Sequence, residues 1–404
     1  MRTLTILGST GSIGLNTLDV IRRHPDRYRV FALVAGENVE TLAAQILEFR
    51  PRLAVVATER ALENLKERLL QTPLAVTDWP ELAFGPRARV AAAVASEVDF
   101  VMSAIVGVAG LEATYEAARR GKQIGLANKE VLVASGRLVL DAARKAGAEI
   151  IPVDSEHNGA HQCLKAGRPH EVARLILTAS GGPFRETPRE KLAEVTPEQA
   201  LNHPTWKLGR RISIDSATLM NKGFEVIEAC WLFGLSPNQI EVVIHPQSSV
   251  HALVEYTDGS LIAQISVTDM RMPIQYALTY PERIEAPVAR YDFSRPHCWQ
   301  FSPPDLDKFP LLRLAYAAQR AGGSAACTLN AADEVGVEAF LNRQIPFPAI
   351  AEVAEETLAR VPSREASSIA EVLEIDSESR RVAREIVHRR ALAASLVRKD
   401  DQAR

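Results

Sequence analysis

The stretch Thr3-Leu4-Thr5-Ile6-Leu7-Gly8-Ser9-Thr10-Gly11-Ser12-Ile13-Gly14 decides how this chain begins to fold. Residues 3–7 are a short apolar run suited to a buried parallel strand, and residues 15–23 continue as a helix that ends near Pro25. The glycines between them are spaced G-x-x-G-x-x-G. Glycine lets such a turn close tightly and lets backbone approach a pyrophosphate, while the helix N-terminus offers unpaired N–H groups and partial positive charge. The same spacing also serves as a plain turn that packs a helix on a sheet, so the surrounding pattern has to choose. We expect no signal or transit peptide, because Met1 and Arg2 lead directly into the strand.

Working outward, residues 28–35 read as a second strand and 38–48 as a helix; residues 53–57 read as a third strand, followed by a helix over 59–70. Further strands are expected at 90–94 and 100–102, then a helix over 110–120 and a strand at 123–126. Alternating strands and helices imply a doubly wound parallel sheet that binds its ligand at the carboxyl ends of the strands. Glu37 follows the second strand, where such folds meet the adenosine ribose. An acid there favours a free 2′-hydroxyl over a 2′-phosphate.

Composition bounds the rest. At 404 residues the chain is expected to form two or three domains. Its formal charge is 47 − 50 = −3, so whole-chain charge gives no argument for a nucleic-acid or anionic-membrane partner. Apolar residues make up 47% and charged residues 24%, proportions of a folded globular protein. No apolar run reaches the ~18 residues of a membrane span. Cys163, Cys230, Cys298 and Cys327 lie far apart without C-x-x-C spacing, which signals neither a disulfide framework nor a zinc site. The expectation is a soluble, intracellular, multidomain protein. Residues 150–153 read as a strand, and from 175 the chain alternates strands with Gly-, Pro- and Thr-rich loops. The proline-rich residues 271–310 read as an extended connection, and residues 311 onward as helices near 311–321, 330–342, 347–360 and 368–396.

Four segments concentrate polar residues. Ala127-Asn128-Lys129-Glu130 ends a strand and opens a helix, so Lys129 can either meet a phosphorylated or carbonyl substrate or form a surface salt bridge. Asp154 and Glu156, spaced i and i+2 on extended backbone, can face the same way and repel unless a cation such as Mg²⁺ or Mn²⁺ sits between them. The competing reading makes Asp154 or Ser155 a helix cap. The Ser180-Gly181-Gly182 turn can offer backbone N–H groups and a hydroxyl to an oxyanion, or be an ordinary turn. The densest segment joins His203, Pro204, Thr205 and Trp206 to Ser216, Asn221, Lys222 and Glu225. On a helix, 221, 222 and 225 share a face that could grip a phosphate and supply a third metal ligand. His203 and Trp206 read as a mobile lid or as an ordinary buried aromatic with a structural histidine.

Together the strings GSTGSIG (8–14), LANKE (126–130), VDSEH (153–157), SGGPF (180–184), HPTWKLG (203–209), IDSATLMNKGFE (214–225) and IHPQSSVHALVEYTDGS (244–260) resemble the 1-deoxy-D-xylulose 5-phosphate reductoisomerases, in the family's order and from residue 1 to about 395. The resemblance implies an α/β chain with an N-terminal Rossmann-like doubly wound parallel sheet that binds NADPH (1–150), an α+β catalytic and connective domain that binds metal and dimerises (151–285), a linker (286–310) and a C-terminal helical domain (311–404). It implies NADPH on Thr10, Gly11, Ser12, Ile13, Gly36, Asn38, Asn128, Glu130 and Gly209. It implies a divalent metal (Mg²⁺, Mn²⁺ or Co²⁺) on Asp154, Glu156 and Glu225. A phosphorylated sugar would be held by Lys129, Ser155, Glu156, Ser180, His203, Ser216, Asn221, Lys222 and Glu225, with Lys129, Glu156 and His203 in catalytic roles. The reaction implied is rearrangement and NADPH-dependent reduction of 1-deoxy-D-xylulose 5-phosphate to 2-C-methyl-D-erythritol 4-phosphate in non-mevalonate isoprenoid biosynthesis. A cytoplasmic homodimer with no nucleic-acid or membrane partner is expected. The alternatives are another NAD(P)-dependent, metal-assisted oxidoreductase of a small phosphorylated or oxo-acid substrate, and a catalytically inactive nucleotide sensor. One departure is Glu37, where many family members carry Lys; Arg60 is placed to compensate. The expected outcome is weaker discrimination against NADH, seen as a kcat/KM ratio for NADPH over NADH below that of a Lys-bearing relative. A ratio as large as theirs would contradict it.

Overall fold

The computed structural model describes residues 1–205 and 209–402, with side chains as far as Leu392. The chain divides into two compact units. One comprises residues 1–131, 137–158 and 267–291, and the other residues 132–136, 159–266 and 292–404.

The first unit holds a seven-stranded sheet, every pairing parallel, in the order β4-β3-β2-β1-β5-β6-β7. Its elements alternate as expected: β1 (Arg2–Leu7), α1 (Ser12–Arg23), β2 (Tyr28–Val34), α2 (Val39–Phe49), β3 (Leu53–Val56), α3 (Glu59–Leu70), β4 (Glu81–Phe84), α4 (Gly85–Val94), β5 (Phe100–Ser103), α5 (Leu111–Arg119), β6 (Gln123–Leu126), α6 (Glu130–Ala146), β7 (Ile150–Pro152) and the start of α7 (Ser155–Cys163). Leu4, Ile6 and Leu33 of the strands pack with Leu42 and Ile46 of α2 and with Phe100 to form its core. Because β1 lies between β2 and β5, the connections that follow β1 and β5 lead to opposite sides of the sheet. The turn after β1 therefore sits at the switch point where such sheets bind ligands.

One expected strand is corrected. Residues 90–94 lie in α4, and the fourth strand is the unexpected Glu81–Phe84. A run of Ala and Val does not separate a buried strand from a helix by periodicity. Pro86 in the first turn of α4 and the helix preference of its alanines settle it.

The second unit is built on a four-stranded mixed sheet in the order β11-β10-β8-β9: β8 (Val172–Ala179), β9 (Ile240–Ile244), β10 (Val250–Tyr256) and β11 (Leu261–Ile265). β10 runs antiparallel to both neighbours, whereas β8 and β9 are parallel. That parallel pair needs a crossover. It contains α8 (Pro197–Leu201), α9 (Arg210–Ala217) and α10 (Met220–Phe233), so helices occupy much of a region expected to alternate strands and loops. α11 (Arg271–Thr279) belongs to the first unit, and it corrects the expectation that 271–310 is extended throughout. α12 (Pro310–Ala321), α13 (Ala325–Leu341), α14 (Ala349–Arg360) and α15 (Ile369–Gln402) give the expected helical C-terminus. α13 is buried along most of its length, and Phe340 and Ile350 join Leu175, Leu177, Phe224 and Val254 in one apolar cluster.

Glycine is required in the first turn at two positions. Gly8 has φ +92°, and a Cβ there would lie 2.5 Å from the Ala104 carbonyl oxygen. A Cβ on Gly14 would lie 2.4 Å from the carbonyl oxygens of Gly8 and Ser9. These neighbours are backbone and cannot rotate away. Gly14→Ala is expected to cost about 1–3 kcal/mol of stability by overpacking, read as a lower urea midpoint at unchanged slope.

Candidate active site

In the first unit the glycine turn is held from behind. The N–H groups of Gly8 and Ser9 both donate to the Val34 carbonyl at 2.8 Å, and Gln45 Nε2 donates to the Ser9 carbonyl at 2.8 Å. Its outer side is open. Gly11 caps α1 without a side-chain hydrogen bond, and Gly11 and Ser12 are exposed while Thr10 and Ile13 are half-buried. The first-turn N–H groups of a twelve-residue helix thus remain available to an anion. Gly36, Glu37 and Asn38 are exposed at the end of β2. Asn38 Oδ1 caps α2 by accepting from Thr41 N at 3.1 Å. Glu37 accepts from the Thr58 hydroxyl at 3.1 Å, so its carboxylate is held at the sheet edge. Thr58 itself caps α3, on whose first turn Arg60 is exposed. Sequence reasoning missed Thr58, although a threonine immediately before a helical pattern is a cap signal.

The ends of β6 and β7 carry the next group. These strands are neighbours, which brings Lys129 to Asp154: Nζ donates to Oδ2 at 2.8 Å, with both side chains largely buried. Asp154 Oδ1 accepts from the backbone N–H of Glu156 at 3.1 Å and of His157 at 3.4 Å. Asp154 is therefore the cap of α7, and Glu156 stands in the helix's first turn. Of the two readings of these acids, the helix cap is the one realised: the chain turns helical at Ser155. The cap uses one carboxylate oxygen and the lysine the other, so capping and ion pairing coexist. Ser155 Oγ donates to Glu156 Oε2 at 2.9 Å. Asn128 is buried; Nδ2 donates to the Gly107 carbonyl at 3.0 Å, and Oδ1 has no hydrogen-bond partner among the described residues. A buried acceptor left in this state is costly unless a ligand supplies a donor. Glu130 is buried beside it as the first residue of α6.

In the second unit the glycines after β8 take left-handed conformations, Gly181 at φ +84° and Gly182 at φ +67°. A Cβ on Gly182 would lie 2.7 Å from the Ser216 carbonyl oxygen, so this loop and the end of α9 touch through backbone. Between them stands His203. Its Nε2 is 3.0 Å from the hydroxyls of both Ser180 and Ser216, and its Nδ1 accepts from Thr205 N at 3.2 Å. An Nδ1 that accepts places the neutral ring's proton on Nε2. Burial holds the His203 imidazolium below the usual histidine range, which favours that neutral form. Gly182 N also donates to Ser180 Oγ at 3.2 Å. Two hydroxyls, an imidazole N–H and a backbone N–H converge, a donor set suited to an anion. The Gly182 N–H leaves no side-chain mark in a sequence and was not anticipated. Trp206 of the expected lid lies outside the described residues, whereas Gly209 caps α9 and is exposed.

Leu219 adopts φ +61° and opens α10, whose first turn carries the remaining predicted group. Asn221 Nδ2 donates to Glu225 Oε1 at 2.6 Å, and Lys222 Nζ pairs with Glu225 Oε2. Lys222 and Glu225 are both buried. The expected shared face is present, and an amide and an ammonium compensate the buried carboxylate.

Family models match nearly the whole chain: 1-deoxy-D-xylulose 5-phosphate reductoisomerase over residues 4–136, its C-terminal domain over 150–233, and a DXP reductoisomerase C-terminal domain over 265–382. The enzyme of that name from Solibacter usitatus (strain Ellin6076) is 64% identical over 391 residues, covering 97% of this chain and 98% of its own. Its namesake from Ralstonia nicotianae is 53% identical over 384 residues, covering 94% and 97%. Among solved structures, the Zymomonas mobilis reductoisomerase in complex with NADPH superposes with TM-score 0.88 at 45% identity, covering 96% of this chain and 99% of that one. A DOX-P reductoisomerase in complex with NADPH, fosmidomycin and magnesium gives 0.90 at 42%, covering 96% and 98%. Likeness of this extent leaves no part of the glycine turn, the Lys129–Asp154 pair or the His203 cluster outside the matched region, and the chain belongs to the 1-deoxy-D-xylulose 5-phosphate reductoisomerase family.

Proposed function

We infer that this chain converts 1-deoxy-D-xylulose 5-phosphate to 2-C-methyl-D-erythritol 4-phosphate, with NADPH and a divalent metal ion, in isoprenoid biosynthesis. The observation that carries the reading is full-length membership of the family in a chain that keeps a glycine turn, a carboxylate set and an imidazole–hydroxyl cluster, each in a hydrogen-bonded setting.

The residues fit both groups. The open face of the turn at Gly11 and Ser12 and the unsatisfied Asn128 Oδ1 suit a dinucleotide. We assign NADPH to Thr10–Ile13, Gly36, Asn38, Asn128, Glu130 and Gly209, and residues 1–150 to its binding. We assign the metal ion to Asp154 and Glu156 of the first unit and Glu225 of the second, because an all-oxygen donor set suits Mg²⁺, Mn²⁺ or Co²⁺. When bound, the metal supplies Lewis acidity to substrate oxygens and NADPH supplies the hydride.

The chain's own residues do the rest. Lys129 holds Asp154 and, with Glu156, manages protons and charge at the reacting oxygens. Lys222 and Asn221 fix the Glu225 carboxylate from both sides. Ser180, Ser216, the Gly182 N–H and His203 receive the phosphate, whose binding orients the reacting end. Asn221, Lys222 and Ser155 complete the substrate contacts.

The test follows NADPH oxidation with 1-deoxy-D-xylulose 5-phosphate. EDTA should abolish turnover and Mn²⁺ or Mg²⁺ restore it, while Glu225→Gln and Lys222→Ala should each lower kcat/KM by ~100-fold or more, the scale of losing a compensated buried charge. His203→Gln or Ser216→Ala should raise KM about tenfold, the loss of one charge-assisted hydrogen bond. No turnover by the unmodified enzyme would overturn the assignment, and indifferent variants would overturn the site map.

We assign the enzyme to the cytoplasm as a homodimer. Its four cysteines are free thiols, which suits a reducing compartment, and no helix among the described residues is long and apolar enough to cross a membrane. The edge strand β11 leaves Leu261 52% and Ile262 38% exposed, an apolar edge that a second copy would cover. Light scattering should give the mass of two chains; the mass of one would exclude the dimer.

A further inference from the structure

Asp333, on the buried helix α13, is fully buried. Its nearest cation, Arg211 Nη2, is 3.7 Å from Oδ2, which is too far for a hydrogen bond. Neither Asp333 oxygen accepts from an N–H donor among the described residues. Its neighbour at the Arg211 guanidinium is another carboxyl, Asp215 on α9.

The surroundings are crowded with acids. From α9, Arg211 places Nε 3.4 Å from Asp215 Oδ2, Nη1 2.6 Å from Glu334 Oε1 and Nη2 3.0 Å from Asn330 Oδ1. From α15, Arg380 bonds Glu334 at 2.7 Å and Asp376 at 2.6 Å. Among the described residues, four carboxyls (Asp215, Asp333, Glu334, Asp376) thus crowd around two guanidiniums. Two carboxylates in contact cannot both ionise in a buried site. Burial and the neighbouring Asp215 hold the Asp333 carboxyl well above the usual carboxylate range, against the opposing pull of Arg211.

We propose that Asp333 is a positioning residue that remains a neutral carboxylic acid, donates its proton to the Asp215 carboxylate, and so holds the end of α9 where Ser216 meets His203. Asp215 immediately precedes Ser216, whose carbonyl is in backbone contact with the Gly182 turn, so a shift of this helix end would disturb the anion-binding cluster. The proposal rests on the assignment of the substrate phosphate to that cluster.

The sign of the pH effect follows from linkage. A native state that keeps a proton on Asp333 binds more protons than the unfolded chain. Its stability therefore falls as pH rises from the ordinary aspartate range toward the raised native value. Asp333→Asn keeps shape, neutrality and an N–H donor to Asp215 but cannot ionise. Thermal melting of the full chain is compared for the two proteins between pH 5 and pH 8, alongside kcat and KM for 1-deoxy-D-xylulose 5-phosphate with NADPH and Mg²⁺. Asp333→Asn should melt above the unmodified enzyme at pH 8, with the gap closing toward pH 5, and keep kcat and KM within about twofold. Asp333→Ala, which removes the donor, should raise KM about tenfold, the scale of one lost hydrogen bond to a charged group, with little change in kcat and no further rise in a Ser216→Ala background.

A gap that does not vary with pH, or has the opposite sign, overturns the neutral acid, and this readout stands even if Asp333→Ala does not fold. A KM raised by Ser216→Ala but not by Asp333→Ala overturns the positioning of α9. If Ser216→Ala itself leaves KM unchanged, the phosphate assignment falls and with it the positioning role, while the melting gap still decides the proton.

Discussion

The ion pair between Lys129 and Asp154 depends on the sheet more directly than any other contact at the site. β6 and β7 are neighbouring parallel strands, so their carboxyl ends deliver the two side chains to one place, 2.8 Å apart and largely buried. Lose the register of either strand and an ammonium and a carboxylate are each left desolvated without the other, at a cost of several kcal/mol. The glycine turn after β1 depends on the same sheet through its two bonds to the end of β2. The glycine turn and the Lys129–Asp154 pair are thus two consequences of one strand order.

The second unit solves a different problem. Its polar groups converge without themselves being charged, through left-handed glycines, a neutral imidazole and two hydroxyls. The imidazole tautomer is set by a single backbone N–H, that of Thr205. On α10, Glu225 is compensated by residues three and four positions earlier on the same helix. A near-zero net charge therefore conceals buried ions of both signs, matched locally.

Legibility in the sequence followed the range of the interaction. The Asn221–Lys222–Glu225 face was readable because helix geometry alone brings i, i+3 and i+4 together. The glycine turn was readable because its strand and helix flanks are local. The backbone after Asp154 was not decided by the sequence, since a carboxylate two residues before another acid suits either a strand or a cap. The helix over residues 85–94 was misread because alanine and valine runs carry no period that separates the two states. The Gly182 N–H, the Thr58–Glu37 bond and the Asp215–Asp333 pair had no local signature at all.

By itself the sequence determined the alternating elements of the first unit, the helical C-terminus and the family, because all of these are written in local spacing and in strings. Only the tertiary structure decided which oxygen of Asp154 caps a helix and which meets Lys129, which nitrogen of His203 carries the proton, and which of four clustered carboxyls stays neutral. Those outcomes depend on burial and, for Asp154 and Asp333, on partners 25 and more than a hundred residues away, and desolvation is a property of the packed interior that no stretch of chain possesses alone.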